Sequence, residues 1–305
     1  AHQALDGLWH RLMEVKGCWV LEADISSFFD TLDHKILRSF LDQRVRDGVI
    51  RKMIDKWLKA GVMENGQLHR ATEGTPQGGV ISPLLANIYL HEVLDRWFVE
   101  QVRPRMKGPA HLIRYADDFV MVFAEESDAR RVMKVLAKRF EKYGLALHPE
   151  KTRLIDWRRP GGRGNSGGGG KPPSFDFLGF THYWGRSRKG KPIVKRKTAR
   201  GRLSRSLKRV ALWCKQNRHN PIADQHRYIS AVLLGHFSYY GITGNGKAIN
   251  VYREELRRIW RYWLRRLSKR RCLTWERFAR LHKRFTLPPP KVVHSVYRHA
   301  VNPCA

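Results

Sequence analysis

Short apolar runs in the first half of the chain predict a set of buried strands. Residues 19–25 are mostly apolar and carry a carboxylate, Asp24, near their end, so we expect a strand with an acidic side chain at its edge. Residues 111–115 and 119–123 are two further apolar runs with only three residues between them. That spacing predicts a tight hairpin with acidic residues at its tip.

Apolar residues at helical spacing separate these strands. The helical stripes begin after Asp33, Ser82 and Ser127, which are residue types that favour the N-cap of a helix. Pro83 suits a first helical turn and Gly144 suits a helix C-terminus, which supports the second and third of these helices. The first half is therefore predicted to combine strands with helices.

The second half of the chain is predicted to be mostly helical. Residues 175–184 and 193–195 indicate a hairpin around a turn at 185–191. Helical periodicity follows in four segments, at about 198–217, 221–240, 250–270 and 275–285.

A segment rich in glycine and proline separates the two halves. Residues 158–173 contain seven glycines and three prolines. Because glycine loses much conformational entropy when it is ordered, we expect an exposed loop or linker. No Gly-Lys-Ser or Gly-Lys-Thr follows the glycines, which argues against a phosphate-binding P-loop.

Basic residues are concentrated in the second half. The 305 residues include 59 Lys or Arg and 27 Asp or Glu, for a formal net charge of +32. Residues 1–157 are nearly neutral, with 24 basic and 22 acidic residues, whereas residues 158–305 have 35 basic and five acidic residues. Self-repulsion of this size favours a polyanionic partner. We expect nucleic acid, with an anionic membrane surface as the alternative.

The composition argues against several other classes of protein. An apolar fraction of 42% in a chain of this length supports a sizeable core rather than overall disorder. No apolar run reaches the roughly 18 residues of a membrane span, and the first residues do not resemble a signal peptide. The four cysteines are far apart, which indicates neither a disulfide framework nor a zinc site. We therefore expect a cytoplasmic protein.

Three aspartates carry the candidate chemistry. Asp117 and Asp118 are adjacent at the predicted hairpin tip, where unpaired carboxylates would repel each other and require a cation. Mg²⁺ prefers such oxygen ligands, and Asp24 at the end of another strand would complete a two-metal site for nucleotidyl transfer. The alternative is that the adjacent pair is an ordinary acidic turn.

Five segments, in order and spacing, resemble the motifs of reverse transcriptases encoded by group II introns. They are Ala-Asp-Ile-Ser-Ser-Phe-Phe-Asp at 23–30, the long Pro-Gln-Gly segment at 75–87, Tyr-Ala-Asp-Asp at 115–118, Leu-His-Pro-Glu-Lys-Thr at 147–152 and Phe-Asp-Phe-Leu-Gly-Phe at 175–180. Segments at 228–230, 234–241 and 256–264 resemble the thumb, or maturase, domain of the same proteins.

This resemblance implies an α+β fold with a right-hand polymerase palm, in which helices pack on an antiparallel sheet. The implied domains are a palm with partial fingers at 1–157, the flexible loop at 158–173, the end of the palm with a primer-grip hairpin at 174–196, and an α-helical thumb or maturase domain that binds RNA at 197–305. The first part of the family's fingers and its C-terminal nuclease domain have no counterpart here. We therefore expect a fragment, or a chain that lacks part of the fingers.

The resemblance also implies roles for individual residues at the metal site. Asp24 and Asp117 would bind two Mg²⁺ ions, with Mn²⁺ as a substitute, and Asp118 would be a weaker ligand. The carbonyl of Ile25 would bind the ion on the nucleotide side. Phe29 would clash with a ribose 2′-hydroxyl and so select dNTPs, unless it is an ordinary core residue.

Further residues would contact the substrates. Lys151 would reach the triphosphate as a cation or proton donor, unless it is a solvated surface lysine. Leu178 and Gly179 would lie in the hairpin that grips the primer end. The residues implied to line the nucleotide pocket are Pro76, Gln77 and Gly78.

Three functions are compatible with these features. The first is an RNA-directed DNA polymerase that also binds intron RNA as a maturase, with an RNA template, a DNA primer and dNTPs as partners, in a ribonucleoprotein and without a membrane. The second is an RNA-binding splicing factor with an unused palm, which the three intact aspartates disfavour. The third is an RNA-copying RNA polymerase, which Phe29 and the Tyr-Ala-Asp-Asp box disfavour.

Overall fold

A computed structural model describes residues 1–15, 18–59, 62–64, 67–69, 81–159, 173–267 and 273–295. The chain divides into two compact units. The first consists mainly of Gln3–Pro173 with Arg186–Ile193, and the second of Ser174–Gly185 with Val194–Ala305. The predicted boundaries of the functional domains stay predictions, and most of the predicted loop, residues 160–172, lies outside the described residues.

The first unit combines helices with short strands. Its helices are α1 (His2–Glu14), α2 (His34–Asp42), α3 (Gly48–Lys59), α4 (Ser82–Leu90) and α5 (Glu126–Lys142). Its strands are β1 (Cys18–Ala23), β2 (Ile25–Ser26), β3 (Val62–Glu64), β4 (Gln67–His69), β5 (Ala110–Tyr115), β6 (Asp118–Phe123), β7 (Ala146–Leu147) and β8 (Arg153–Trp157). Wider π-type turns, His91–Arg96 and Phe98–Val102, prolong α4 before a 3₁₀ turn at Arg103–Arg105.

A four-stranded antiparallel sheet forms the centre of the first unit. Its strand order is β5-β6-β1-β8, so the strand that precedes Asp24 lies between two partners. Five consecutive residues of β6 are buried, which means that both faces of this strand are covered. Helix α5 packs on β1 and β6, and α2 packs on α4. This core fixes the position of the sheet edge at which the candidate site lies.

The second unit is a small sheet followed by helices. The strands β9 (Ser174–Phe177), β10 (Phe180–Arg186) and β11 (Pro192–Thr198) form an antiparallel β9–β10 hairpin with β11 alongside β10. The helices are α6 (Arg200–Gln216), α7 (Ile222–Tyr240), α8 (Gly246–Arg265) and α9 (Trp275–Arg284). Trp260 of α8 is fully buried, and its indole N–H donates to Gln225 of α7 at 3.0 Å. No helix in the described part of the chain is both long enough and apolar enough to cross a membrane.

The predicted strands and helices are largely confirmed. Asp33 caps α2, because its carboxylate accepts from the backbone N–H groups of Lys35 and Ile36. The caps predicted at Ser82 and Ser127 are wrong, since the N-cap residues are Ile81 and Glu125. Ser82 is buried inside the first turn, where tertiary packing overrides its local preference.

The hairpin predicted within the second half is also corrected. The run at 175–184 is two strands rather than one, because a turn at 178–179 divides it. The structure adds helices α1 and α3 and strands β7 and β8 to the predicted elements, although the apolar residues of α3 are themselves at helical spacing.

Candidate active site

Strand pairing brings Asp24 next to the acidic hairpin. Ala23, the last residue of β1, is paired with Phe119 of β6. Continued by one residue, this antiparallel register sets Asp24 opposite Asp118. Residues opposite each other in such a ladder are about 5 Å apart at Cα and share a face of the sheet. The two carboxylates predicted from separate motifs therefore lie at one sheet edge.

The hairpin between β5 and β6 has a two-residue turn. Tyr115 is paired with Asp118, which leaves Ala116 and Asp117 at the tip. Ala116 has a φ of 55° whereas Asp117 has a negative φ, which is the pattern of a type II′ turn. Asp117 is partly exposed and Tyr115 is 49% exposed, so the tip faces solvent. This arrangement confirms the predicted hairpin.

Arg114 directly precedes the Tyr-Ala-Asp-Asp segment and holds the hairpin turn in place. Its guanidinium donates to both carboxylate oxygens of Asp95, at 2.7 and 2.5 Å. The Nη1 group donates to the carbonyl of Ala116 at 2.8 Å and to Oδ1 of Asn87 at 2.9 Å. Asn87 lies in α4 and Asp95 in its π-type extension. One side chain thus joins the hairpin turn to the long helix behind it.

A loop after β7 brings Lys151 onto Asp24. Strand β7 pairs with β2, and the backbone N–H of His148 donates to the carbonyl of Asp24 at 2.8 Å. The chain then turns, with Thr152 donating back to His148, and re-enters the sheet where Arg153 pairs with Glu22. Lys151 sits in this turn, so its position is set by the pairing on both sides.

The ammonium of Lys151 is 2.5 Å from Oδ2 of Asp24. The hydrogen bond with Asp24 and the negative charge of Asp24 raise the pKa of Lys151, and the charge of Asp118 adds to this increase. The lysine therefore lies near both carboxylates. Its side chain is nevertheless 61% exposed, whereas that of Asp24 is 27% exposed.

The donor set is suited to a hard cation, although a complete metal centre is not formed. Within the residues that the structure describes, no group of three or more His, Cys, Asp or Glu side chains is arranged to hold a metal ion. Asp24 instead has the Lys151 ammonium as its positive partner. Carboxylate oxygens are the ligands that Mg²⁺ prefers, and an exposed lysine can leave them without disturbing the core. Mg²⁺ binding by these residues stays a prediction.

Phe29 lies in a turn that follows Asp24. Ser27, with a φ of 46°, accepts backbone hydrogen bonds from Asp30 and Thr31. Phe28 is buried, whereas Phe29 is partly exposed and packs against the edge of the core. A partly exposed ring is compatible with a role at the substrate and with a role in packing. Ile25 is buried in β2.

Leu178 and Gly179 form the turn between β9 and β10. Both have positive φ, 49° and 78°, as a type I′ turn requires. The hydroxyl of Tyr239 donates to the carbonyl of Leu178 at 2.9 Å, and a Cβ on Gly179 would lie 2.9 Å from the hydroxyl of Tyr240. Two tyrosines of α7 therefore fix this turn.

Backbone strain coincides with the motifs. Among the described residues, the non-glycine residues with positive φ are Ser27, Ala116 and Leu178. Each lies in or beside a segment that carries one of the family motifs. Such strain is maintained only where surrounding contacts impose it, and it is common at functional sites.

The predicted nucleotide-pocket residues stay untested, and the structure adds the Arg114 clamp, which the sequence did not reveal. Pro76, Gln77 and Gly78 lie outside the described residues. The clamp formed by Arg114 with its partners was missed, because an arginine in a strand and an aspartate in a helix give no local signal that they will meet.

The chain matches a known family over more than half its length. Residues 5–182 fit the family model described as reverse transcriptase (RNA-dependent DNA polymerase). This range contains all five motifs identified in the sequence.

Two curated proteins are similar over shorter stretches. Protein YkfC of Escherichia coli (strain K12) is 38% identical over 174 residues, which are 46% of this chain and 44% of that protein. Group II intron-encoded protein LtrA of Lactococcus lactis subsp. cremoris is 48% identical over 151 residues, which are 46% of this chain and 25% of that protein. The resemblance to group II intron-encoded proteins is thereby confirmed. The chain spans less than half the length of either relative.

A solved structure supports the fold. Apo telomerase from Candida tropicalis superposes with a TM-score of 0.50, at 12% identity, over 92% of this chain and 51% of that chain. Identity this low concerns the fold alone. It agrees with the predicted α+β fold, with its palm-like antiparallel sheet.

Proposed function

The chain belongs to the reverse transcriptase family, and from this we propose that it is an RNA-directed DNA polymerase, which extends a DNA primer with dNTPs along an RNA template. The observation that carries the proposal is the strand register, which places the end of β1, next to Asp24, beside the start of β6, where the hairpin holds Asp117 and Asp118. These residues come from two motifs that are about ninety positions apart in the sequence. In this proposal the three carboxylates supply the negative charge that binds the metal ions for nucleotidyl transfer.

In this proposal the three aspartates hold two Mg²⁺ ions, with Asp24 and Asp117 as the main ligands, Asp118 as a weaker ligand and the Ile25 carbonyl on the nucleotide side. If bound by these residues, Mg²⁺ would supply positive charge that favours loss of the proton from the primer 3′-hydroxyl and release of pyrophosphate. The protein itself positions the reacting groups, and Arg114 keeps the Ala116–Asp117 turn rigid for that purpose.

Lys151 would change partners during the reaction. Its contact with Asp24 raises the pKa of Lys151 and so favours the charged ammonium further. We propose that the ammonium moves to the triphosphate when a nucleotide binds, where it stabilises negative charge and can donate a proton to the leaving group. The exposed side chain leaves room for this movement.

Substrate selection would depend on the neighbouring motifs. Phe29 follows Asp24 by five residues and would lie under the sugar, where its ring would exclude a 2′-hydroxyl. Pro76, Gln77 and Gly78 would line the nucleotide pocket. The turn of Leu178 and Gly179 would hold the primer end.

A second function, binding of intron RNA as a maturase, is favoured by the charge of the second half. Residues 158–305 carry a net charge of +30. LtrA, which this chain resembles over 46% of its length, is described as encoded by a group II intron. We propose that the second half binds structured intron RNA, so that the protein functions in a ribonucleoprotein. A maturase with little polymerase activity is the alternative.

The polymerase proposal is tested by primer extension on an RNA template with dNTPs or rNTPs. Asp117→Asn should reduce extension by several decades while it leaves RNA binding nearly unchanged, because charge stabilisation is a large part of the barrier. Asp47→Asn is the matched control: Asp47 caps α3 through Val49 and Ile50, and asparagine caps equally well. Normal extension by Asp117→Asn would contradict the proposal, and equal loss of binding and extension would indicate misfolding.

The maturase proposal is tested by RNA affinity as salt is raised. The full chain should prefer its intron RNA over unrelated RNA by a margin that persists at high salt, where the Coulomb contribution fades. If the margin disappears, the basic half is a non-specific clamp for template and primer. The polymerase proposal would then stand alone.

A further inference from the structure

A cavity of about 560 Å³ lies between helices α6, α7 and α8 of the second unit. This volume falls in the range of sites that bind small organic molecules. Its rim is basic and its floor is aromatic. The lining residues belong to α6, α7 and α8, and among them only Tyr240 has a role described above, at the turn of Leu178 and Gly179.

Three arginines of α6 form the basic rim. Arg202, Arg205 and Arg209 are three and four positions apart, so they lie on one face of the helix. Helix α6 contains no acidic residue. Within the described part of the chain, no carboxylate pairs with any of these three. Burial raises the pKa of Tyr240, and the charges of Arg202 and Arg205 oppose this shift, so both guanidinium groups lie near its hydroxyl.

The acidic residues of the facing helices are engaged elsewhere. Asp224 of α7 pairs with Arg227 of the same helix. The two glutamates of α8 likewise pair with arginines of α8. The positive charge of the rim is therefore not compensated by the helices that surround the cavity.

The floor contains an unpaired polar atom. His236 is 8% exposed and lines the cavity, and its Nε2 has no hydrogen-bond partner among the described residues. The ring stacks on Tyr252 at 3.8 Å, and the Tyr252 hydroxyl is satisfied by Ser206 at 2.6 Å. Burial lowers the pKa of His236 to about 4, so the imidazole is neutral near pH 7. Because a buried polar atom without a partner is costly, a polar ligand group that reached this nitrogen would be stabilised by a hydrogen bond to it.

Gly235 lies in the wall of the cavity. It lies within α7, where glycine is a poor helix former. A Cβ at this position would meet no heavy atom within 4 Å, so packing does not require the glycine. A larger side chain at Gly235 would instead extend into the cavity that it lines.

We propose that this cavity binds one nucleotide of an RNA strand, with its phosphate on the three arginines and a polar group of the base or sugar on His236. The guanidinium fork matches phosphate geometry, and a recessed site between helices suits a nucleotide better than a flat membrane surface. This proposal rests on the RNA binding proposed above. It assigns a defined contact to a region whose charge alone would give only non-specific affinity.

The first test compares two charge removals on the same helix. Arg205 lines the cavity, whereas Lys208 is exposed on α6 and does not. Affinity for a fluorescein-labelled RNA is measured by anisotropy with the full chain. R205Q should weaken binding about tenfold, as expected for loss of a charge-assisted phosphate contact, and K208Q by only a few fold. Equal effects of R205Q and K208Q would overturn the proposal.

The second test fills the cavity from Gly235. G235E would place a carboxylate among the arginines and block the site. Adding R205Q to G235E should therefore cause no further loss of RNA affinity. G235Q separates bulk from charge, and G235A is the control that leaves the cavity open. We expect affinity to fall in the order G235A, G235Q, G235E. Wild-type affinity in G235E would overturn the proposal even if R205Q failed to fold.

The assay conditions separate this proposal from the polymerase function. Binding is measured without Mg²⁺ or dNTPs, so it does not depend on the aspartates. A chain that binds RNA through the cavity but fails to extend primers contradicts the polymerase proposal alone. If the chain extends primers but R205Q and K208Q bind RNA equally well, the cavity proposal alone is contradicted. Displacement of the RNA by micromolar AMP would indicate a free-nucleotide site and overturn the strand proposal.

Discussion

Replacement of Arg114 should destabilise the first unit and loosen the acidic hairpin. Arg114 is only 13% exposed in its side chain, and its partner Asp95 is 26% exposed. Arg114→Leu removes two hydrogen bonds to Asp95, one to Asn87 and one to the carbonyl of Ala116. Among the residues that the structure describes, the contact then left to the Asp95 carboxylate is a weaker one with His91, at 3.5 Å.

The expected cost is about 3 kcal/mol in the free energy of unfolding. Loss of one member of a fully buried ion pair costs roughly 3–5 kcal/mol, and the partial exposure of Asp95 argues for the lower end. Arg114→Lys keeps the charge but cannot reproduce the fork, so we expect roughly half of this cost. The measurement is urea denaturation of each variant at neutral pH.

The matched control is Arg153, which pairs with Glu22 at 2.6 Å on the opposite side of the sheet but is 54% exposed. Arg153→Leu should cost no more than about 1 kcal/mol. A double-mutant cycle with Asp95→Leu should show a coupling of about 2 kcal/mol. In primer extension, Arg114→Leu should lower kcat more than it raises the KM for dNTPs, because the hairpin tip would lose its support. Equal unfolding costs for Arg114→Leu and Arg153→Leu would refute this reasoning.

Three further predictions follow from single positions. Phe29→Ala should raise incorporation of rNTPs with a smaller effect on dNTPs in competitive primer extension, and an unchanged preference would remove Phe29 from the sugar site. Gly179→Ala should destabilise the chain by more than about 1–2 kcal/mol in urea denaturation, because it adds a clash with Tyr240 to an unfavourable positive φ; Gly190→Ala, with a φ of 74° and open space, isolates the cost of φ alone. Acid should destabilise the helical unit, because the pKa of His236 is about 4 in the folded chain against 6.5 when unfolded. The unfolded state therefore takes up a proton first as the pH falls below 6.5, and this histidine should cost about 2 kcal/mol at pH 5. His236→Gln should remove that part of the pH dependence, and an unchanged dependence in the variant would contradict the assignment.

The turn at Leu178 shows where local reading of the sequence fails. Leucine is not a turn residue, so the apolar run around it predicts one strand. The φ of 49° at Leu178 is imposed from outside the segment, by the Tyr239 hydrogen bond to its carbonyl. Without knowledge of α7, the sequence gives no reason for a chain reversal there.

Local pattern and motif order determined the class of this protein. The strands next to Asp24 and in the acidic hairpin can be predicted from short apolar runs. A buried strand consists of apolar residues, and these are visible in the local sequence. The five motifs, and with them the family, follow from residue identity and spacing. The mixture of strands and helices follows from local periodicity, whereas the α+β fold with a palm was implied by the resemblance of the motifs.

The tertiary structure decided which distant residues meet. The contact between Lys151 and Asp24 spans 127 positions, and it exists because β7 and β8 pair on either side of the turn that holds the lysine. The Arg114 clamp and the arginine-lined cavity depend in the same way on how separate helices and strands pack. Such contacts are fixed by register and packing across the chain, and their energies depend on burial, which a linear pattern does not contain.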